Sequence, residues 1–223
     1  QQLYLNDGFG NFTLGTASRM PPRLDSEDWN AIGDLNSDGR PDMLVPGSGS
    51  QPRLLFGGNG GTFSYSTMRT IPEQSYCVQD AIAADLDRDG DQDLFSVSGC
   101  KYGVYESLFT NAEPVACRTN TVHYWLNDGA GGFVEDTTNR FPAFGRNGTT
   151  VASGDIDNDG DLDLAVGTSG VGTAGGSSRD DGVRLYLNNG SGVFTDITYP
   201  RLPGANFFAT DLIFLDVNKD GAL

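Results

Sequence analysis

Residues 155–163 read Asp155-Ile156-Asp157-Asn158-Asp159-Gly160-Asp161-Leu162-Asp163, five carboxylates in nine residues with one glycine among them. Such a run repels itself unless a counter-ion sits among the side chains. A hard divalent cation that prefers oxygen ligands, Ca²⁺ above all, is the natural partner. The pattern recurs as Asp34-Leu-Asn36-Ser-Asp38-Gly39-Arg40-Pro-Asp42 and as Asp85-Leu-Asp87-Arg-Asp89-Gly90-Asp91-Gln-Asp93. A fourth copy starts at Asp216-Val-Asn218-Lys-Asp220-Gly221 and stops at Leu223, before its ninth position.

Counted from the first Asp, the side chains at positions 1, 3, 5 and 9 are expected to converge on the ion. These are Asp34, Asn36, Asp38 and Asp42; Asp85, Asp87, Asp89 and Asp93; Asp155, Asp157, Asp159 and Asp163; and, in the truncated loop, Asp216, Asn218 and Asp220. Position 7 is expected to offer its backbone carbonyl. It is Arg40, Asp91, Asp161 or Ala222, a variety that implies an unconstrained side chain. Glycine at position 6 permits the sharp turn. Three complete Ca²⁺ loops and a fourth, truncated one are therefore expected. An EF-hand is excluded, because its loop closes later with Glu and lies between helices.

A second motif alternates with the first. Leu3-Tyr-Leu-Asn6-Asp7-Gly8, Leu54-Leu-Phe-Gly-Gly-Asn59-Gly60, Tyr124-Trp-Leu-Asn127-Asp128-Gly129 and Leu185-Tyr-Leu-Asn188-Asn189-Gly190 each lead to a second run opening on Phe12, Phe63, Phe133 or Phe194. An apolar run, an Asn/Asp-Gly turn and another apolar run make a β-hairpin. Short apolar runs also flank the acidic loops, among them Asp80–Ala84, Leu94–Val97 and Asp211–Leu215, and no window shows sustained helical periodicity. One unit is thus strand A, acidic loop, strand B, variable loop, strand C, Asn-Gly turn, strand D. The expected fold is all-β, a β-propeller of four-stranded antiparallel blades with the Ca²⁺ loops in the A–B hairpins. Blades are expected at about 28–69, 80–137 and 149–198, with partial blades at 1–14 and 209–223, in a single domain or fragment covering 1–223.

These residues resemble the FG-GAP/VCBS repeat family, the calcium-loop propeller repeats of integrin α chains and of many bacterial secreted proteins. The resemblance covers nearly the whole chain. It implies a larger propeller of about seven blades, of which this sequence would be a piece, in an extracellular, secreted or cell-surface setting. It also implies that a protein or glycan ligand is bound by variable loops.

Composition narrows the partners. The formal charge is −16, and half of the 30 acidic residues lie in the four loops, so four bound Ca²⁺ ions would halve it. Nucleic acid needs a basic footprint, which is missing. Anionic membrane surfaces are disfavoured, and no apolar run is long enough for membrane insertion. No signal peptide is visible at Gln1. Cys77, Cys100 and Cys117 are an odd set; a Cys100–Cys117 bridge would pin the long loop at 98–122, with Cys77–Cys100 as the rival. Asn-x-Ser/Thr acceptors stand at Asn11, Asn147 and Asn189.

Strand direction places the acidic loops and Asn-Gly turns on one face and the B–C and D–A loops on the other. Length variation is concentrated in the second set, where a partner is expected to bind. Arg19, Arg23, Arg69, Arg118, Arg146, Arg179 and Arg201 lie in or beside those loops, as do Tyr102, Tyr105, Phe141, Phe144, Phe207 and Phe208. His123, the single histidine, stands at a polar strand position shared with Gln2, Arg53 and Arg184, and is expected to be an exposed framework residue. No nucleophile elbow, Cys/His pair or phosphate loop is present. The expected function is non-enzymatic adhesion or protein–protein assembly. A lectin-like glycan-binding propeller and a piece of a secreted polysaccharide-degrading enzyme are the alternatives.

Overall fold

The computed structural model describes residues 2–22, 31–45, 52–66, 71, 78–98, 122–144, 148–168, 182–202 and 209–223. Three sheets of four antiparallel strands contain the complete acidic loops. The first runs β3 (Ala31–Gly33), β4 (Asp42–Val45), β5 (Arg53–Gly58), β6 (Thr62–Tyr65). The second is β7 (Val78–Ala84), β8 (Asp93–Ser98), β9 (Val122–Asn127), β10 (Phe133–Glu135). The third is β11 (Gly148–Gly154), β12 (Asp163–Thr168), β13 (Val183–Asn188), β14 (Phe194–Asp196). Before them, β1 (Tyr4–Asn6) and β2 (Phe12–Leu14) pair as a two-stranded hairpin. The chain is all-β, and its four-stranded antiparallel sheets are consistent with propeller blades.

Each acidic loop joins the first two strands of its sheet, and each Asn-Gly turn joins the last two. The second strands, β4, β8 and β12, are buried at every position. A strand covered on both faces carries apolar residues without alternation, which explains runs such as Leu94-Phe95 and Leu164-Ala165-Val166. The first strands use small residues where sheets meet. A Cβ on Gly33 would lie 2.8 Å from that of Ala83, and one on Gly154 would lie 2.8 Å from the Phe214 ring. Asp211–Leu215, expected as a strand, has no ladder partner among the described residues.

Three single-turn helices were not legible from periodicity. They are α1 (Thr16–Arg19), α2 (Thr137–Arg140) and α3 (Thr198–Arg201), each following the last strand of a hairpin. The opening threonine ties each turn back to the first strand of the hairpin it follows, or to the residue just before that strand. Thr16, Thr137 and Thr198 Oγ1 accept the backbone N–H of Leu3 (2.8 Å), Tyr124 (2.9 Å) and Leu185 (3.1 Å).

The cores lie between sheets. Leu35, Leu44, Leu94, Trp125 and Phe133 fill the contact of the first with the second. Leu86, Phe95, Tyr124, Phe141, Leu164, Tyr186 and Phe194 fill that of the second with the third. Phe95 is fully buried, with ring centroids of Phe141, Tyr124 and Phe194 at 5.0, 6.1 and 6.3 Å. Phe141 therefore belongs to the packing between sheets and offers no platform for a sugar. Phe95→Ala is expected to cost about 3–5 kcal/mol in denaturant unfolding, whereas exposed Val134→Ala is expected to stay within about 0.5 kcal/mol.

Candidate metal centre

Backbone geometry builds each loop around its first Asp. In the third loop Asp155 accepts the N–H groups of Asp159 (3.2 Å) and Gly160 (3.0 Å), and Asp159 Oδ1 accepts that of Asp161 (2.9 Å). Asp34, Asp85 and Asp216 take the N–H of the position-6 glycine in the same way, at 2.8, 3.2 and 2.9 Å. The turn requires left-handed backbone twice. Position 6 is glycine at φ 81 to 98°, and position 4 (Ser37, Arg88, Asn158, Lys219) lies at φ 56 to 63° despite carrying a side chain.

This winding gathers carboxylates. Asp85, Asp87 and Asp89 each offer an oxygen within 4.8 Å of the others, and so do Asp155, Asp157 and Asp159. Asp85 Oδ1 and Asp87 Oδ1 are buried without a hydrogen-bond partner among the described residues. Oxygens left unmatched in a negative cluster suit a hard divalent cation. The first loop differs. Asp34 and Asp38 are joined by neutral Asn36, and Arg40 pairs with Asp38 at 2.9 Å while donating to Asn59 Oδ1 at 3.2 Å. In the fourth loop Asn218 Nδ2 donates to Asp220 at 2.8 Å.

Position 9 plays a part that spacing alone did not indicate. Asp42, Asp93 and Asp163 are completely buried and stand outside the clusters of positions 1, 3 and 5. Asp42 accepts N–H groups from Leu35 (2.9 Å) and Gly57 (2.7 Å), and Asp163 accepts them from Ile156 and Asn188 (2.8 Å each). Asp93 accepts the Asn127 N–H and the Tyr124 hydroxyl, both at 3.0 Å. Each is a clamp between the loop or second strand and the third strand, with a lone pair left on each oxygen. Burial pushes all three carboxyls up, Asp93 to about 7.

The turn asparagines carry the clamp to the neighbouring sheet. Asn127 Nδ2 donates to Gln92 O (2.8 Å) and to Leu35 O (2.9 Å) of the first loop. Asn188 Nδ2 does the same with Leu162 O (3.0 Å) and Leu86 O (2.7 Å). Asp80 adds a tie at the opposite end of the inner strands, accepting from Thr150 Oγ1 and Val151 N at 2.9 Å.

FG-GAP-like repeats match residues 34–96 and 113–166, more than half of the chain, and an FG-GAP repeat matches 147–186. The chain belongs to the FG-GAP repeat family. Among solved structures this FG-GAP chain is similar to an Agrocybe aegerita lectin, described as specifically recognising non-reducing terminal N-acetylglucosamine. The identity is 18% and the TM-score 0.42, over 74% of this chain and 36% of the lectin's. The chain thus spans little more than a third of that lectin's length. No curated protein matches it.

Position 7 corrects the sequence reading within the FG-GAP loops, because its side chain is tied. Asp91 Oδ1 accepts from Ser37 Oγ of the preceding loop at 3.0 Å, and Asp161 Oδ1 lies 2.6 Å from Arg88 Nη2. Arg140 was likewise missed. From the end of α2 it meets Asp136 (2.8 Å), Asp87 (3.3 Å) and the Ser191 carbonyl of the next sheet's turn (2.5 Å). Arg19 occupies the same place on α1 and comes within 3.6–3.8 Å of where Cβ atoms on Gly61 and Gly60 would be. It faces the turn beside the first acidic loop, so it does not serve the opposite face. The signal for both was a Thr-x-x-Arg spacing after the hairpin, repeated at Thr198–Arg201.

His123 is buried, contrary to the exposed role expected of it. Its ring stacks on Trp125 (centroids 5.3 Å apart, 15° between planes) and Nδ1 lies 2.8 Å from Glu135 Oε1. The equivalent cross-strand places hold an Arg184–Asp196 ion pair at 2.7 Å and Arg53 over the Tyr65 ring at 5.5 Å. Phe144 is half-buried against the core of Phe141. The three cysteines, Asn147, Tyr102, Tyr105, Phe207, Phe208 and Arg23, Arg69, Arg118, Arg146 and Arg179 lie outside the described residues.

Two measurements probe this framework. Asn188→Ala strands the Leu86 and Leu162 carbonyls and is expected to cost about 2 kcal/mol or more, against less than about 1 kcal/mol for exposed Asn189→Ala, by denaturant unfolding. Burial holds the His123 imidazole low, outweighing the raising effect of Glu135. A base held low in the folded state adds stability above its unfolded value of about 6.5, and that stability is lost as pH falls below it. The advantage of the protein over His123→Gln is therefore expected to be constant above about pH 7.5 and to shrink from about pH 6.5 downward.

Proposed function

We propose that this chain is part of an extracellular, calcium-stabilised β-propeller whose role is binding, in adhesion or protein–protein assembly, and not catalysis. The observation that carries the reading is the pair of three-carboxylate clusters, at Asp85, Asp87 and Asp89 and at Asp155, Asp157 and Asp159, repeated in register on successive sheets. Repetition at the same place in each sheet is what a structural clip requires. A catalytic centre would instead draw unlike residues to one place. Asp34, Asn36, Asp38 and the Arg40 carbonyl would hold an ion in the first loop, with Asp42 closing it. The carbonyls of Asp91 and Asp161, with Asp93 and Asp163, would complete the second and third. Asp216, Asn218 and Asp220 would begin a fourth. FG-GAP repeats often bind Ca²⁺ and are typical of extracellular proteins, which supports the setting. No helix among the described residues is long and apolar enough to cross a membrane.

The clips stand beside the hairpin turns, as the Arg40–Asn59 contact illustrates. Recognition is therefore assigned to the other ends of the strands. His123 supports a non-catalytic reading, since it is stacked and paired inside a sheet.

The test is capture from a cell-surface extract in millimolar Ca²⁺, with a glycan array and a polyuronide turnover assay run in parallel. Saturable capture of a protein is expected, and is expected to be lost when residues 103–114 are replaced by a Gly/Ser segment while the melting temperature holds. Array binding without a protein partner would replace adhesion by lectin activity. Turnover of the polymer would make the chain part of an enzyme.

A further inference from the structure

We propose that Arg88 couples cation loading of the second acidic loop to that of the third, so that the two loops fill cooperatively. This rests on the calcium reading above and concerns how neighbouring loops act on each other.

Position 4 stands between two donors of its own loop, and its left-handed backbone is part of the turn that gathers them. In Arg88 φ is 63°, between Asp87 and Asp89. Its guanidinium does not fold back on those carboxylates. It crosses to the next loop, where Nη2 lies 2.6 Å from Asp161 Oδ1. The partner is a side chain only 7% exposed, whose Oδ1 has no aligned hydrogen bond among the described residues, so the contact is one of charge. Asp161 is wedged beneath the following turn: a Cβ on Gly190 would lie 2.6 Å from its Oδ2. Arg88 therefore fixes the one residue of the third loop whose backbone carbonyl is expected to face the ion.

A second tie runs alongside. Arg140 joins Asp87 of the second loop to the Ser191 carbonyl of the third sheet's turn. Both arginines thus span the same pair of repeats.

The coupling follows from ordering. An ion in the second loop fixes Asp87 and Asp89 and so fixes the backbone of Arg88 between them. Its guanidinium then holds Asp161, and the third loop binds its ion with part of its ordering already done. Because Asp161 offers the ion a carbonyl, the arginine takes no side-chain ligand away. The corresponding Ser37–Asp91 contact is a neutral donor on a carboxylate, and Asn158 would meet Ala222, which has no acceptor side chain. The link is therefore strongest between the second and third loops.

A double-mutant cycle on the full 223-residue chain tests this by calorimetric Ca²⁺ titration. The third-loop heat is identified by its loss in Asp155→Asn with Asp157→Asn. Its affinity is then compared with the second loop intact and disabled by Asp85→Asn with Asp87→Asn, each with Arg88 and with Arg88→Met. With Arg88 present, disabling the second loop is expected to weaken the third about 5-fold or more. With Met at 88 the change is expected to stay within about 2-fold. Should Arg88→Met fail to fold by circular dichroism, Asp161→Asn replaces it in the same cycle. A third-loop affinity indifferent to the second loop, or coupling that survives removal of the ion pair, overturns the proposal and leaves calcium binding standing. Calcium heats absent from the unaltered chain overturn both.

Discussion

A carboxylate in a dry interior must be met by donors or by a cation, and this chain buries one at the end of each complete acidic loop. Leaving such a charge unmatched costs several kcal/mol. For Asp42 and Asp163 the donors come from two places, the second residue of the loop and the third strand of the sheet. Loop, second strand and third strand must be assembled together before either charge is satisfied. The turn asparagine extends the requirement outward, because Asn127 and Asn188 each give one donor to a carbonyl in the preceding repeat. Polar groups that depend on a neighbour for satisfaction make the repeats cooperative. The aromatic packing of Phe95, Phe141 and Phe194 adds apolar area to contacts whose register is already fixed.

The remaining loop carboxylates face a different problem. They lie close together near the surface, where repulsion opposes the winding that the left-handed backbone at positions 4 and 6 imposes. The loops answer it unequally. In the first, Arg40 provides a positive charge from within the chain, directly on Asp38. The second and third keep three carboxylates gathered, with Arg140 of α2 at the margin of the second and Arg88 of the second loop at the margin of the third. An internal cation makes a loop less dependent on an external one. The first loop is thus the least demanding of metal and the third, with Asp155, Asp157 and Asp159, the most.

Much of this could be read from local spacing. Alternate Asp residues around a glycine and Asn-Gly turns before Phe act over a few residues, so the sequence shows them directly. The four-stranded sheets and family membership follow from their repetition. What was not legible depends on distant partners. Nothing near Asp161 marks it as the mate of Arg88, and nothing near Phe141 distinguishes a core aromatic from an exposed one in a loop. Arg140 was hidden because a single helical turn has no periodicity to detect. A polar residue on a strand suggests exposure, but Glu135 and Trp125, both on or across the same hairpin, make the burial of His123 tolerable. Asp42, Asp93 and Asp163 stand out by their spacing as candidate ligands, whereas the clamp that each one forms depends on strands that arrive later in the chain.

The most direct test of a cation-held scaffold is the melting temperature of the 223-residue chain in millimolar Ca²⁺ against excess EDTA at constant ionic strength. Sites with affinities typical of extracellular modules contribute on the order of 1 kcal/mol each, so three of them are expected to raise the midpoint by about 5–10 °C. Superimposable melting curves would contradict it, and would mean that the acidic loops are held by their own hydrogen bonds and arginines alone.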